Sequence, residues 1–302
     1  MNIFLTGATG YIGSSVATHL LSKGHQVYGL LRDKGKTDAV KALGIIPVLG
    51  TLEDKELLTE YAQKADAVIH TANSDHRFAV DTFIAALAGT GKTFIHTSGS
   101  SVVGDDVMGN SENTQWYDEE KLFVPMDVRQ ERVNINNDIR IAGITKGIRS
   151  IVIVPSMIYG DSLGLNVESD QLPVVFRKSK EMNAGVYLGK GLNRWSNVHI
   201  KDLVDLYVLA LEKAPTASYF YAENGEASYG EIAVYVSQAL GFNGKVISWD
   251  ADEALAELGD WAKYAWGSNS RIRAVHARNL LGWKPNGISL NEWIISRTKQ
   301  SK

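Results

Sequence analysis

"TGATGYIG", residues 6–13, follows the apolar run "NIFL" and opens a segment, "YIGSSVATHLLSKG", whose apolar residues recur at helical spacing up to Gly24. A strand therefore runs into a helix through a turn carrying Gly7, Gly10 and Gly13. Such a turn lets the backbone approach a pyrophosphate with no Cβ in the way, and the helix start supplies unpaired N–H groups and the positive end of a dipole. Gly7, Thr9, Gly10, Tyr11, Ile12 and Gly13 are thus the candidate cradle of a dinucleotide. A glycine pattern alone is a weak signal; its place at a strand–helix junction in a continuing series makes it a specific one.

That series reads outward from the turn. "QVYGLL", "IIPVLG", "DAVIHTA", "KTFIHTSG" and "RSIVIVP" are short runs without polar alternation, as strands covered on both faces read. Helical patterns separate them, including "ELLTEYAQKA", "RFAVDTFIAALAGTG" and residues 127–146. The fold class is α/β, a doubly wound parallel sheet. After Pro155 the rhythm changes to helices over 168–183, 201–213, 228–240 and 271–280, with short strands "GVYLG", "SNVHI" and "SYFYAE", which predicts a smaller mixed α/β lobe holding substrate against the first. The division is 1–160 for the dinucleotide-binding domain, with a return segment over 196–215, and 161–302 for the substrate lobe. No linker separates them, so one shared core is expected. In the final stretch "SNSRIRAVHARNLLGWKP" the Asn and Ser are expected to cap the last of these helices and Gly282 to end it.

The 302 residues are 44% apolar and 22% charged, with a net charge of −3, which points to neither a nucleic-acid nor a membrane partner. Without cysteine there is no disulfide, thiol nucleophile or Cys-zinc site, and a cytoplasmic location is expected. The histidines at 19, 25, 70, 76, 96, 199 and 276 lack metal-ligand spacing, so no metal is expected. At the end of the second strand, where a carboxylate would grip the ribose of NAD, stands Leu31, followed by Arg32 with Lys34 nearby. A guanidinium pairs with a 2′-phosphate, which favours NADP(H) over NAD(H), with the neighbouring Asp33 as the counter-signal.

"TGATGYIG", "ADAVIHTA", "FIHTSGSSVVGD", "VPSMIYGD" and "WSNVHIKDLVDLYVLAL" occur in the order of an extended short-chain dehydrogenase/reductase, and the chain resembles the NAD-dependent epimerase/dehydratase type over nearly its whole length. The resemblance implies a Rossmann-type lobe, with His70, Thr71 and Ala72 along the cofactor and Pro155, Met157 and Ile158 bordering the nicotinamide. It implies a catalytic Ser/Thr, Tyr and Lys, in which the Tyr exchanges a proton with the substrate oxygen while Lys holds the ribose and lowers the Tyr pKa. It also implies a small-molecule substrate and a monomer or a homodimer formed through the helices around 77–90 and 127–146.

The dyad fits badly. "YDEEK" supplies Tyr117 and Lys121 four apart, but the helix before the sixth strand needs only about 18–20 residues to cross the sheet and begins near 127–129. Tyr117 lies about three turns too early, and Pro125 intervenes. "YDEEK" reads as a surface loop, the alternative being a rearranged loop that carries Tyr117 into the site. Val128 or Arg129, then Arg132 or Val133, occupy the expected places; Arg132 can hold a ribose as a cation but cannot be the acid. Gly99 falls where the family carries its hydroxyl, leaving Ser98 and Ser100 beside it. The candidate catalytic residues are therefore Ser98, Ser100, Arg132 and Tyr117, with Arg194 and Tyr159 toward substrate.

Several residues carry two readings. Arg194 suits a substrate diphosphate or a surface strand; Trp195 a base stack or the core; Tyr159 a spare proton donor or packing. His199 and Asp202 read as a helix-start hydrogen-bond set in which Asp202 caps. "WAKYAWGSNSRIR" either covers the substrate or packs as helix. Three functions remain: an NADP(H)-dependent oxidoreductase acting on a small carbonyl or alcohol, a non-catalytic NADP(H) sensor, and a sugar-nucleotide epimerase or dehydratase.

Overall fold

The computed structural model describes residues 1–297 of the protein. In chain order the elements are β1 (Asn2–Thr6), α1 (Tyr11–Ser22), β2 (Gln26–Leu31), α2 (Thr37–Ala42), β3 (Ile46–Leu49), α3 (Lys55–Lys64), β4 (Ala67–His70), α4 (Arg77–Leu87), β5 (Thr93–Thr97), α5 (Asp127–Thr145) and β6 (Arg149–Pro155). There follow β7 (Met157–Tyr159), α6 (Gln171–Met182), β8 (Gly185–Leu188), β9 (Arg194–His199), α7 (Ile200–Lys213), β10 (Ser218–Ala222), β11 (Glu226–Ser228), α8 (Tyr229–Ala239), β12 (Val246–Trp249), α9 (Ala251–Leu258), α10 (Val275–Leu281) and α11 (Leu290–Ser296).

Seven strands form one parallel sheet in the order β10-β6-β5-β4-β1-β2-β3, a Rossmann-type arrangement. Its central strands are buried along their length, Ile3–Leu5, Ala67–Ile69 and Ile151–Val154 being fully covered, because helices lie on both faces. The strand order reverses beside β1, and the crevice at the carboxyl ends of β1 and β4 is where such sheets hold ligands. The smaller lobe has a three-stranded sheet, β11-β9-β7, and a parallel pair, β12-β8.

Three expectations are corrected. "SYFYAE" is not a strand of the smaller lobe: β10 pairs in parallel with β6 and completes the large sheet. The apolar interior is two buried clusters, one around the seven-stranded sheet and one holding Trp249, Trp266, Tyr229 and Leu172 in the smaller lobe. The helix expected over 271–280 starts only at Val275. Ser270 and Ile272 are instead extended and bridge Trp195 and Tyr117, because Ser196 Oγ exchanges hydrogen bonds with the backbone of Ile272. Its end is as expected, with Gly282 left-handed at φ 69°. α5, which decides where a dyad would sit, begins at Asp127. No helix among the described residues is long and apolar enough to cross a membrane.

Candidate functional site

A cleft of about 480 Å³ opens between the ends of β1, β4, β5 and β6 and the smaller lobe. Gly10, Tyr11, Ile12 and Gly13 form one wall, Thr71 and Ala72 its floor, and Pro155 and Ile158 its side. Gly7 is left-handed at φ 77°, and a Cβ on Gly13 would stand 2.1 Å from the Gly7 carbonyl oxygen, so the turn closes only without side chains. Thr71 fastens it from below, donating from Oγ1 to the Thr6 carbonyl at 2.7 Å. No side chain caps α1, its first turn carries no acidic residue, and the residues at its start line the cleft. A backbone cradle with a positive helix end and no competing carboxylate fits a dinucleotide's pyrophosphate. Tyr11 is committed elsewhere: its hydroxyl donates to the Gly160 carbonyl at 2.8 Å, and burial pushes its pKa well above the usual phenol value.

The other expected cofactor residues stand off the wall. Thr9 and Gly7 belong to the turn without lining the cleft. Met157 is wholly buried in the smaller lobe's core. His70 lies beneath the floor, where its Nε2 meets the Asn73 carbonyl at 2.9 Å and its Nδ1 meets Thr6 Oγ1 at 2.7 Å. A carbonyl can only accept, so Nε2 carries the proton and Thr6 donates to Nδ1. Desolvation lowers the His70 pKa to about 4, which agrees with a neutral ring. Arg32 is exposed at the end of β2, and the Asp33 carboxylate turns into its own loop to accept from the Gly35 N–H at 2.8 Å.

Opposite the glycine turn lies a polar wall. Ser98, Ser100 and Ser101 line it, Ser98 from just beyond β5 and Ser100 and Ser101 from a short 3₁₀ turn. Ser98 Oγ accepts from Asn136 Nδ2 at 2.9 Å, and Ser101 Oγ accepts from Arg132 Nη1 at 3.1 Å, so both hydroxyl protons remain to be donated. Ser100 shares its hydroxyl with that of Ser270 at 2.7 Å. Arg132 grips Asp75 by Nε at 2.7 Å and by Nη2. Burial would raise the Asp75 carboxyl, but the guanidinium bonded to it outweighs this and holds its pKa below the usual range. A Cβ on Gly99 would meet Arg132 Nη1 at 3.3 Å, so the arginine fills the space in front of the missing hydroxyl.

The smaller lobe supplies a roof, one of the two readings open for Trp195 and for "WAKYAWGSNSRIR". Trp195, Trp261, Tyr264 and Gln171 line the cleft. Gln171 Nε2 donates to the Ala265 carbonyl at 3.2 Å and to the Tyr229 hydroxyl at 3.0 Å, fixing the π-helical turn Ala262–Trp266 that carries Tyr264. "WAKYAW" thus divides: Trp261 and Tyr264 reach the cleft, while Trp266 is wholly buried in the core. The three-residue spacing of Trp261 and Tyr264 was the available signal. Arg129, also on the cleft, was noted only as an unsuitable dyad residue.

Four singled-out residues stay away from the cleft wall. Tyr117 pairs by its backbone with Arg271 and Arg273 across the bridge to Ile272, and its ring packs edge-on against Phe123. Lys121 turns to Trp116, whose ring it covers at 3.2 Å, and not to Tyr117. Arg194 is held by Glu226 at 3.2 Å and Glu231 at 3.3 Å. Tyr159 donates to the Ile288 carbonyl at 2.7 Å and packs edge-on against His199. Asp202 does not cap α7: the His199 side chain does, while buried Asp202 accepts from the N–H groups of Asn286 and Gly287 and pins that loop.

A dinucleotide cradle facing a polar wall, on a seven-stranded parallel sheet, defines a nucleotide-dependent α/β protein of the extended short-chain dehydrogenase/reductase type. The model of the NAD dependent epimerase/dehydratase family matches residues 3–219, and the chain belongs to that family. It is 31% identical to the oxidase ucsJ of an Acremonium species, over 94% of this chain and 93% of that protein. It is 29% identical to an uncharacterized protein of Schizosaccharomyces pombe, over 96% and 97%. The dTDP-glucose 4,6-dehydratase of Bacillus anthracis, solved in complex with NAD, superposes with a TM-score of 0.78 at 17% identity, covering 99% of this chain and 96% of that one, a likeness of fold.

Proposed function

We propose that the protein is an NADP(H)-dependent oxidoreductase acting on a small carbonyl or alcohol. The observation that carries this reading is that one cleft joins the glycine cradle to hydroxyls that each already accept from a fixed donor. A bound nicotinamide supplies or removes the hydride. The chain's part is to hold the pyrophosphate at the start of α1, to back the ring with Pro155 and Ile158, and to offer the Ser98 and Ser101 protons to a substrate oxygen. Arg132, neutralised by Asp75, positions Ser101 and is not itself the acid.

The NADP(H) preference is supported by the exposed Arg32 and by Asp33 being spent on its own turn. Exposed Phe78 on α4 with Ile141 and Ile144 on α5 supports a homodimer through those helices. An epimerase acting on a nucleotide diphosphate has less support, since the carboxylates around Arg194 already occupy it. The sensor reading keeps one observation in its favour: the start of α5 offers Val128, Arg129, Arg132 and Val133, and no phenol.

The test is incubation with NADPH deuterated on the nicotinamide ring and a panel of aldehydes, ketones and enones, followed by mass spectrometry of the products. Label transfer is expected. Its absence while NADPH still binds would favour the sensor. Arg32→Glu is expected to cut the preference for NADPH over NADH by about tenfold, and an unchanged ratio of the two affinities would remove the case for NADP(H).

A further inference from the structure

Arg129 and Arg132 lie three residues apart on the first turns of α5, and both line the cleft. Their surroundings differ. Arg132 has the Asp75 carboxylate and Ser101. Arg129 makes no ion pair and no side-chain hydrogen bond with any described residue. Its Nε is closed off from solvent without a partner, and its contact is with the Tyr264 ring, whose centroid is 5.6 Å from the guanidinium carbon. Every other arginine that is not exposed donates to a carboxylate or a carbonyl: Arg77, Arg149, Arg194, Arg271, Arg273, Arg278 and Arg297 do so, as does Arg132. Asp75 is bonded to Arg132, and it and Asp260 act on Arg129 only by longer-range attraction, without an ion pair.

A half-buried guanidinium with no carboxylate bonded to it is costly, and a ligand that brings one repays that cost. One cation without an ion-pair partner suits a monoanion. The planar fork of the guanidinium matches a carboxylate. Tyr264 beside it, and Trp195 and Trp261 in the same cleft, supply aromatic surface. The pyrophosphate's place is at the start of α1, so the cofactor's phosphates do not account for Arg129.

We propose that the substrate is a carbonyl or alcohol bearing a carboxylate on a flat apolar body, with the carboxylate paired to Arg129. This rests on the oxidoreductase reading above and narrows its substrate class.

The test is isothermal titration of the full-length protein, with and without NADPH, using phenylpyruvate, benzoylacetate, their methyl esters and phenyl phosphate. The acids are expected to bind roughly 10- to 100-fold more tightly than their esters, the worth of a charge-assisted hydrogen-bonded pair. R129Q should abolish that difference and R129K restore part of it. Equal binding of acid and ester overturns the proposal, as does an acid preference that survives in R129Q or no saturable acid binding into the millimolar range. Preference for phenyl phosphate overturns the carboxylate assignment. NADPH binding by the wild-type protein is followed in the same samples through nicotinamide fluorescence. Its failure counts against the oxidoreductase reading alone, since the acid–ester difference is read separately.

Discussion

The two ends of the cleft are built in different ways. The dinucleotide end is made of backbone: a turn of eight consecutive residues, closed by the absence of side chains at Gly7 and Gly13 and fastened by Thr71. The chemical end is made of side chains from well-separated parts of the chain: Asp75 before α4, Ser98 after β5, Arg132 and Asn136 on α5, and Tyr264 beyond α9. A site written in backbone tolerates almost no change in shape but says little about substrate. A site written in side chains can be rewritten one residue at a time on the same frame. That is how a chain can keep the family's sheet and glycine turn while the start of its α5 presents Arg129 and Arg132 to the cleft.

The contrast predicts its largest effect at Gly13. Gly13→Ala drives a methyl group to 2.1 Å from a backbone oxygen, which cannot rotate away, whereas Gly10→Ala meets the same oxygen at 3.3 Å. The first should cost at least about 3 kcal/mol and abolish NADPH binding. The second should cost under about 1 kcal/mol. Thermal melts with NADPH fluorescence titrations measure both, and similar losses in the two variants would mean that close packing of the turn is not what builds this end.

A smaller effect concerns the support beneath the floor. His70 is neutral when folded, with its pKa lowered to about 4 by burial, while in the unfolded chain it titrates near 6.5. Above pH 6.5 both states are neutral and the group adds no pH dependence. As pH falls below 6.5 the unfolded chain takes up the proton first, so stability declines until about pH 4. The decline between pH 7 and pH 5 should be about 2 kcal/mol. Urea unfolding of wild type and His70→Asn across that range isolates it, and parallel pH profiles would show that the ring is not held neutral.

The same division explains what could be read in advance. The alternation of apolar runs with helical patterns fixes the sheet, because buried parallel strands carry their signal locally, and the start of α5 followed from the length needed to cross that sheet. Thr71, Ala72, Pro155 and Ile158, expected at the cofactor from the family resemblance, do line the cleft, close to strand ends. Asp75 and Asn136 were not legible, because their roles exist only after the chain has folded and their neighbours in sequence say nothing of their partners in space, while Tyr264 was marked only as part of a stretch with two readings. The late start of α10 had the same cause: Ser196, far upstream, draws Ile272 into an extended bridge where the local pattern favours a helix.

The smallest expected effect is at Tyr117, and it bears most directly on the comparison. Its backbone, not its hydroxyl, makes its hydrogen bonds to Arg271 and Arg273. Tyr117→Phe should shift stability by no more than about 0.5 kcal/mol and leave deuteride transfer from labelled NADPH unchanged. A general acid contributes about 100-fold or more to the rate, so a loss of that size could not come from packing. It would mean that the loop over 105–126 moves on substrate binding and carries the phenol to the serines. The side-chain end of the cleft would then be completed by its ligand, and the dyad "YDEEK" spells out would be real after all.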